Sequence, residues 1–121
     1  MTQLTLPFPP SVNSIWRSFR GRNILSKKGR EYFAQAAAEV SRQVDGTIAT
    51  PLQVTIVLTP PDRRKRDIDN SAKVVLDSLT KGGAITDDSL VDRLIIERRP
   101  AEKPGQVLVY LEDLPSETSY R

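Results

Sequence analysis

Apolar residues first recur at every second position: Leu4, Leu6 and Phe8 predict a strand over residues 3–8 with one buried face. Pro9 and Pro10 end it, because proline has no N–H for a ladder and restricts the residue before it. The stretch from Ser11 to Asn23 is polar, basic and aromatic without either period, and reads as a long loop or a short hairpin. The spacing then becomes helical. Ser26 is placed to cap a helix whose stripe is Phe33, Ala36, Ala37, Val40 and Val44, with Gly46 as its stop.

Alternation returns at Val54, Ile56 and Leu58 and predicts a second strand, ended by Pro60 and Pro61. Ile68, Ala72, Val75, Leu76 and Leu79 fall at helical spacing, so a second helix is expected from Asn70 to Thr80, closed at Gly82 and Gly83. After a turn at Thr86-Asp87-Asp88-Ser89, Val91 to Arg99 reads as a third strand. The turn Lys103-Pro104-Gly105 leads to a fourth, Gln106 to Leu111. The order β-α-β-α-β-β predicts an α+β fold: one domain over residues 1–114, with antiparallel hairpins in a mostly antiparallel or mixed sheet and two helices on one side. The polar segment Pro115 to Arg121 reads as a flexible tail.

Charge adds a direction to this scaffold. The net charge is +3, a mild lean toward polyanions, and its placement says more. Arg63, Arg64, Lys65 and Arg66 form one run, and Arg17, Arg20, Arg22, Lys27, Lys28 and Arg30 a second stretch, together 10 of the 18 basic residues. The chain has no cysteine and no histidine. That removes disulfides, Cys/His zinc sites, Ser-His-Asp triads and any nuclease with a histidine base. A bound metal would need oxygen ligands, which favours magnesium, manganese or calcium. No signal-peptide pattern and no membrane-length apolar run is visible, so a cytoplasmic location is expected.

The chemistry concentrates in Arg66-Asp67-Ile68-Asp69-Asn70 and the Lys73 and Asp77 that follow. Two aspartates two apart in an extended segment aim at the same side, and Lys73 lies four residues past Asp69, about one helical turn. Metal-assisted phosphodiester cleavage uses such a set: carboxylates hold a hard cation that activates water, and a lysine stabilises charge in the transition state. Asp87 and Asp88 offer further carboxylates at the next turn. The alternative is structural, with Asp69 or Asn70 only capping a helix beside a solvated basic loop. Four adjacent cations repel one another, which favours a loop that holds phosphates.

The string Asp62-Arg63-Arg64-Lys65-Arg66-Asp67-Ile68-Asp69-Asn70, then Lys73, Asp77, Leu79, Lys81 and Gly82, closely resembles the signature of the RusA family of Holliday junction resolvases. Asp87-Asp88-Ser89 is similar to the family's next motif, and Leu6-Pro7-Phe8-Pro9-Pro10-Ser11-Val12-Asn13 with Trp16-Arg17 to its opening. Ser26, Gly29 and Tyr32 resemble its first-helix entry, so the likeness spans nearly the whole chain; Leu90-Val91-Asp92 departs from the pattern. The resemblance implies a homodimer, of phage or prophage origin, that binds four-way DNA junctions and nicks two opposed strands symmetrically with magnesium, or manganese in its place. It maps the metal-holding aspartates onto Asp67, Asp69 and Asp88 and the catalytic lysine onto Lys73, with Arg66 among the DNA contacts. It also implies in-line attack by water that leaves a 5′-phosphate and a 3′-hydroxyl.

The expected DNA-binding set is Arg63, Arg64, Lys65, Arg66, Arg17 and Lys27. Trp16 and Phe19 lie among arginines, a mixture suited to base stacking, although the expectation for Trp16 is that it anchors the loop on the core. Asn13 reads as a turn residue and the alanines of the first helix as close packing. Val91, Ile95, Val107 and Val109 are candidates for a surface shared between core and dimer interface. Of the rival functions, a restriction-endonuclease-like nuclease lacks its acid-x-lysine triplet anywhere in the chain. A non-catalytic branched-DNA-binding module has no use for three separated aspartates and Lys73. A protein-interaction domain would have no DNA affinity.

Overall fold

Every second residue of the central strand is apolar, and that strand organises the rest. The computed structural model describes residues 1–114; the tail expected from Pro115 onward lies outside the described residues. In chain order the elements are β1 (Thr2–Leu6), α1 (Val12–Ile15), β2 (Trp16–Phe19), β3 (Arg22–Leu25), α2 (Lys27–Gln43), β4 (Leu52–Thr59), a 3-10 turn (Ile68–Ser71), α3 (Ala72–Lys81), a second 3-10 turn (Asp88–Leu90), β5 (Val91–Arg98) and β6 (Gln106–Asp113). Four strands form one sheet in the order β1-β6-β4-β5, and β2 with β3 make a separate hairpin. The α+β class holds, with three α-helices rather than the two expected, because α1 is a four-residue helix too short to show a period.

The sheet is mixed. β6 runs antiparallel to both β1 and β4, whereas β5 runs parallel to β4. The expected hairpin between β5 and β6 is therefore absent: β4 lies between them, and the Lys103-Pro104-Gly105 turn reverses the chain across it. The reason is burial. Leu52, Val54, Ile56 and Leu58 of β4 pack with Val107, Val109 and Leu111 of β6 and with Leu4 and Leu6 of β1, and a central β4 covers both edges of its own apolar row. Val40 of α2 and Val75 and Leu79 of α3 close that core from the helical side. A second cluster of Ile15, Tyr32, Phe33, Ala36 and Val74 joins α1 to both long helices.

Local chemistry sets the helix ends. Ser26 Oγ accepts from the Gly29 N–H at 3.0 Å and donates to the Ser14 carbonyl at 2.6 Å, so it caps α2 and ties it to α1. α2 stops at Gln43 rather than at Gly46, because Val44 turns extended and packs its side chain on the core. Tyr32 Oη donates to the Pro7 carbonyl at 2.7 Å, and burial pushes its hydroxyl above the usual phenol range.

Gly83, at φ +85°, supplies the left-handed residue after α3, whereas Gly82 is required for space. A Cβ on Gly82 would stand 2.4 Å from Val40 Cβ and 2.8 Å from the Ala37 carbonyl. Gly82→Ala therefore forces α2 and α3 apart and should cost about 1–3 kcal/mol of stability, read as a lower denaturant midpoint at unchanged slope.

Candidate active site

The basic loop that follows β4 is pinned at both ends. Asp62 accepts from the Arg64 N–H at 3.0 Å, and this bond, with the Arg66 and Arg64 guanidiniums, holds its carboxyl below the usual carboxylate range. Arg66 pairs with Asp62 at 2.9 Å, donates to the Asp62 carbonyl at 3.0 Å and lies over the Phe8 ring at 5.5 Å. Arg98, at the end of β5, donates to the Arg66 carbonyl at 2.7 Å. Arg66 is thus half-buried and engaged within the protein, while Arg63, Arg64 and Lys65 are exposed. The parallel register that sets Leu58 beside Arg98 brings Arg98 and Arg99 to this loop, where they line a cavity of about 330 Å³ with Arg63 to Arg66.

The loop delivers Asp67 and Asp69 into the 3-10 turn that opens α3. Asp67 stands at the turn's N-cap position but makes no side-chain cap bond, and Ser71, at the N-cap of α3, makes none either. Asn70 is engaged elsewhere, its Oδ1 accepting from the Val12 N–H at 3.3 Å. The capping role that offered a purely structural account of Asp69 or Asn70 is therefore not found. Both aspartates are exposed, and neither carboxylate has a hydrogen-bond partner among the described residues.

Lys73, in the first turn of α3, reaches across to the second 3-10 turn. Its Nζ lies 2.7 Å from Asp88 Oδ2 and 3.0 Å from Asp77 Oδ1. The hydrogen bond to Asp88, and then that to Asp77, hold the ammonium above the usual lysine range. The side chains of Asp77 and Asp88 are mostly buried while Lys73 is 70% exposed, which leaves the cation open to a ligand. Asp87 is used locally: its Oδ2 accepts from the Ser89 N–H and hydroxyl, and the hydroxyl bond leads in holding its carboxyl low. Asp77, Asp87 and Asp88 line a cleft of about 330 Å³ with Trp16, Leu25, Phe33, Thr80 and Lys81.

Of the remaining expected contacts, Lys27 faces Glu31 at 3.9 Å with both side chains exposed, a pairing of small energetic weight. Arg17 lies on the β2–β3 hairpin, 5.5 Å from the Phe19 ring centroid. Trp16 does not anchor the core as expected; it is 42% exposed at the base of that hairpin, and Ile15 takes the buried position beside it. Asn13 belongs to α1, not to a turn, and edges a groove shared with Asp67 and Asn70. Val107 and Val109 are fully buried, so only Ile95 and the half-buried Val91 keep surface for a partner. Asp62 and Arg98, outside the expected site, act on it, and Asp77, set in the acid stretch by the sequence without a role, is the second partner of Lys73. Asp77 was within reach of the sequence as the i+4 partner of Lys73; Arg98 depended on the strand register.

Asp67, Asp69 and Asp88 are carboxylates without a histidine or thiol among them, and the first two have no hydrogen-bond partner among the described residues, so the donor chemistry fits a hard divalent cation. Among the described residues no three acidic side chains stand close enough to share one ion. Fold and site together define a small α+β domain in which a lysine-bridged aspartate cluster adjoins a strongly basic loop, a layout for handling phosphodiesters.

Comparison with known proteins narrows that class. The family model described as Endodeoxyribonuclease RusA matches residues 7–112. A relative named Crossover junction endodeoxyribonuclease RusA, from Escherichia coli strain K12, is 35% identical over 115 residues, which cover 94% of this chain and 96% of that relative. Its namesake in Enterobacteria phage 82 is 35% identical over the same shares, and the one in Shigella sonnei strain Ss046 is 34% identical. The chain belongs to the RusA endodeoxyribonuclease family. No helix among the described residues is long and apolar enough to cross a membrane.

Proposed function

We propose that the chain is a magnesium-dependent endonuclease that binds four-way DNA junctions and resolves them by paired, symmetric nicks. The observation that carries this reading is the 2.7 Å contact between Lys73 and Asp88, which joins the two acid-bearing segments of the chain across fifteen positions. Asp67, Asp69 and Asp88 would hold the cation, which requires the first two to draw closer to Asp88 than they stand here. When bound, that cation would neutralise charge on the phosphate and make water a nucleophile at neutral pH. Lys73 presents its ammonium to a non-bridging phosphate oxygen, where charge grows as the water attacks in line, and Asp77 keeps the lysine aimed. Arg63, Arg64 and Lys65 draw the phosphate backbone onto the loop, with Arg66 holding the loop's shape from inside.

Two nicks in one binding event call for two sites, and a C2 pair of chains matches the symmetry of an open junction. Among the described residues β5 pairs with β4 alone, and its Leu94 and Ile95 are about two-fifths exposed, an edge that a second copy would cover. Sedimentation of the free protein tests this, and a monomer at micromolar concentration contradicts it.

The basic loop is tested by binding. With Arg63, Arg64 and Lys65 all replaced by Gln, the slope of log affinity against log salt should shrink by roughly 0.9 for each phosphate that the loop no longer neutralises. Fluorescence anisotropy of a labelled junction in chelator, across a salt series, reads that slope. An unchanged slope places the DNA elsewhere on the protein.

A further inference from the structure

The β2–β3 hairpin is unused by the mechanism above, and four observations give it a role. First, it projects from a base where Leu25 packs on the second core cluster: all of β2 is exposed, as are Arg22 and Asn23 of β3. Its rings are displayed rather than buried, with Trp16 42% and Phe19 45% exposed. Second, no acid occurs before Glu31, whereas Arg17, Arg20 and Arg22 lie within six residues, so the hairpin is uniformly cationic. Third, Phe19 sits at the tip with two guanidinium carbons near its ring, Arg17 at 5.5 Å and Arg20 at 5.2 Å from the centroid. Fourth, Arg20 is the one non-glycine residue with positive φ among the described residues, at 51°, followed by Gly21 at 76°. Two positive φ values make the tight turn that a two-residue hairpin uses, a place normally filled by asparagine and glycine. An arginine held there keeps its charge over the ring at a conformational cost.

Antiparallel pairing sets Arg17 against Ile24 and Phe19 against Arg22, so Arg17, Phe19 and Arg22 share one face. Trp16 and Leu25, paired at the base, also line the cleft that holds Asp77 and Asp88. The hairpin thus meets the candidate active site at its base, through the face opposite to that of Phe19.

We infer that this hairpin is a nucleobase-stacking probe: Phe19 stacks on a base left unstacked at the branch point of the DNA, while Arg17 and Arg20 take the flanking phosphates. The inference rests on the junction-nuclease reading and deepens it by naming how branched DNA is told from duplex. Stacking of a base on an aromatic ring is worth more than an exposed cation–π contact, so a base can displace a guanidinium, which then turns to phosphate. A continuous duplex keeps its base faces covered and offers Phe19 nothing to stack on. A branch point offers free faces beside the phosphates to be cut. An acidic protein would match the charge but would not require an aromatic ring set between cations.

The test compares the full chain with Phe19→Ala and Phe19→Trp, using a labelled synthetic four-way junction and a linear duplex of matched sequence, in chelator. Phe19→Ala should weaken junction binding roughly ten-fold, within the range for removing one stacked base, while duplex affinity changes by less than about two-fold. The salt slope of junction binding should stay unchanged, because no charge is removed, and Phe19→Trp should restore affinity. Junction affinity unchanged in Phe19→Ala, or junction and duplex weakened alike, overturns the inference while the nuclease reading stands. A change in the sedimenting mass of the free Phe19→Ala protein overturns it in favour of a contact between protein chains. A wild-type chain that prefers no junction over duplex overturns the nuclease reading and the inference with it.

Discussion

Asp69→Asn should lower cleavage of a four-way junction by about a thousand-fold or more while leaving fold and binding intact. The size follows from the several kcal/mol of transition-state stabilisation that a catalytic cation supplies, since each 1.36 kcal/mol is tenfold in rate. The intact fold follows from geometry. Asp69 is exposed and makes no hydrogen bond or capping contact among the described residues, so its neutral isostere should change stability by less than about 0.5 kcal/mol. Junction binding in chelator should hold or tighten slightly, because one negative charge near phosphate has gone. A variant that loses binding together with cleavage would mean that Asp69 shapes the DNA surface rather than the chemistry.

Lys73→Met should reduce cleavage by roughly 10²–10³-fold, the usual loss when a fixed donor to a charged transition state is removed. The ammonium is held by Asp88 and Asp77 above the usual lysine range, so the loss should be equal at every pH where the enzyme is folded and active. A lysine acting as a base would instead impose its own titration on the wild-type rate, and that profile would disappear in Lys73→Met. Stability should move by no more than about 1 kcal/mol, because Lys73 is 70% exposed and its ion pairs are screened by solvent. Measuring the wild-type and variant rates from pH 6 to 9 separates the two roles.

The strands and long helices were legible because each repeats its pattern over several residues. β4 alternates from Leu52 to Leu58, and α2 carries Phe33, Ala36 and Val40 on one stripe. The motif from Asp62 to Lys73 was legible as chemistry because acids, cations and a lysine at helical spacing lie close in the chain. What escaped the sequence depends on meetings through space. No period places β4 between β5 and β6, and that placement brings Arg98 to the Arg66 carbonyl. The inward turn of Arg66 depends on the ring of Phe8, fifty-eight positions earlier. α1 has four residues, too few for a period to emerge, whereas the β2–β3 hairpin was one of the two readings of Ser11 to Asn23; the exposure of Trp16 follows from Ile15 filling the core site next to it. Asp77 was visible as the i+4 neighbour of Lys73, but its part in holding the lysine emerges only once Asp88 is seen on the other side.

The most direct test of the central claim is cleavage of a labelled synthetic four-way junction beside a matched linear duplex, with magnesium and with chelator. Paired nicks at symmetric positions in the junction alone, present with magnesium and lost with chelator, are the predicted result. Tight junction binding without nicks in either magnesium or manganese, or equal cutting of the linear duplex, would contradict it.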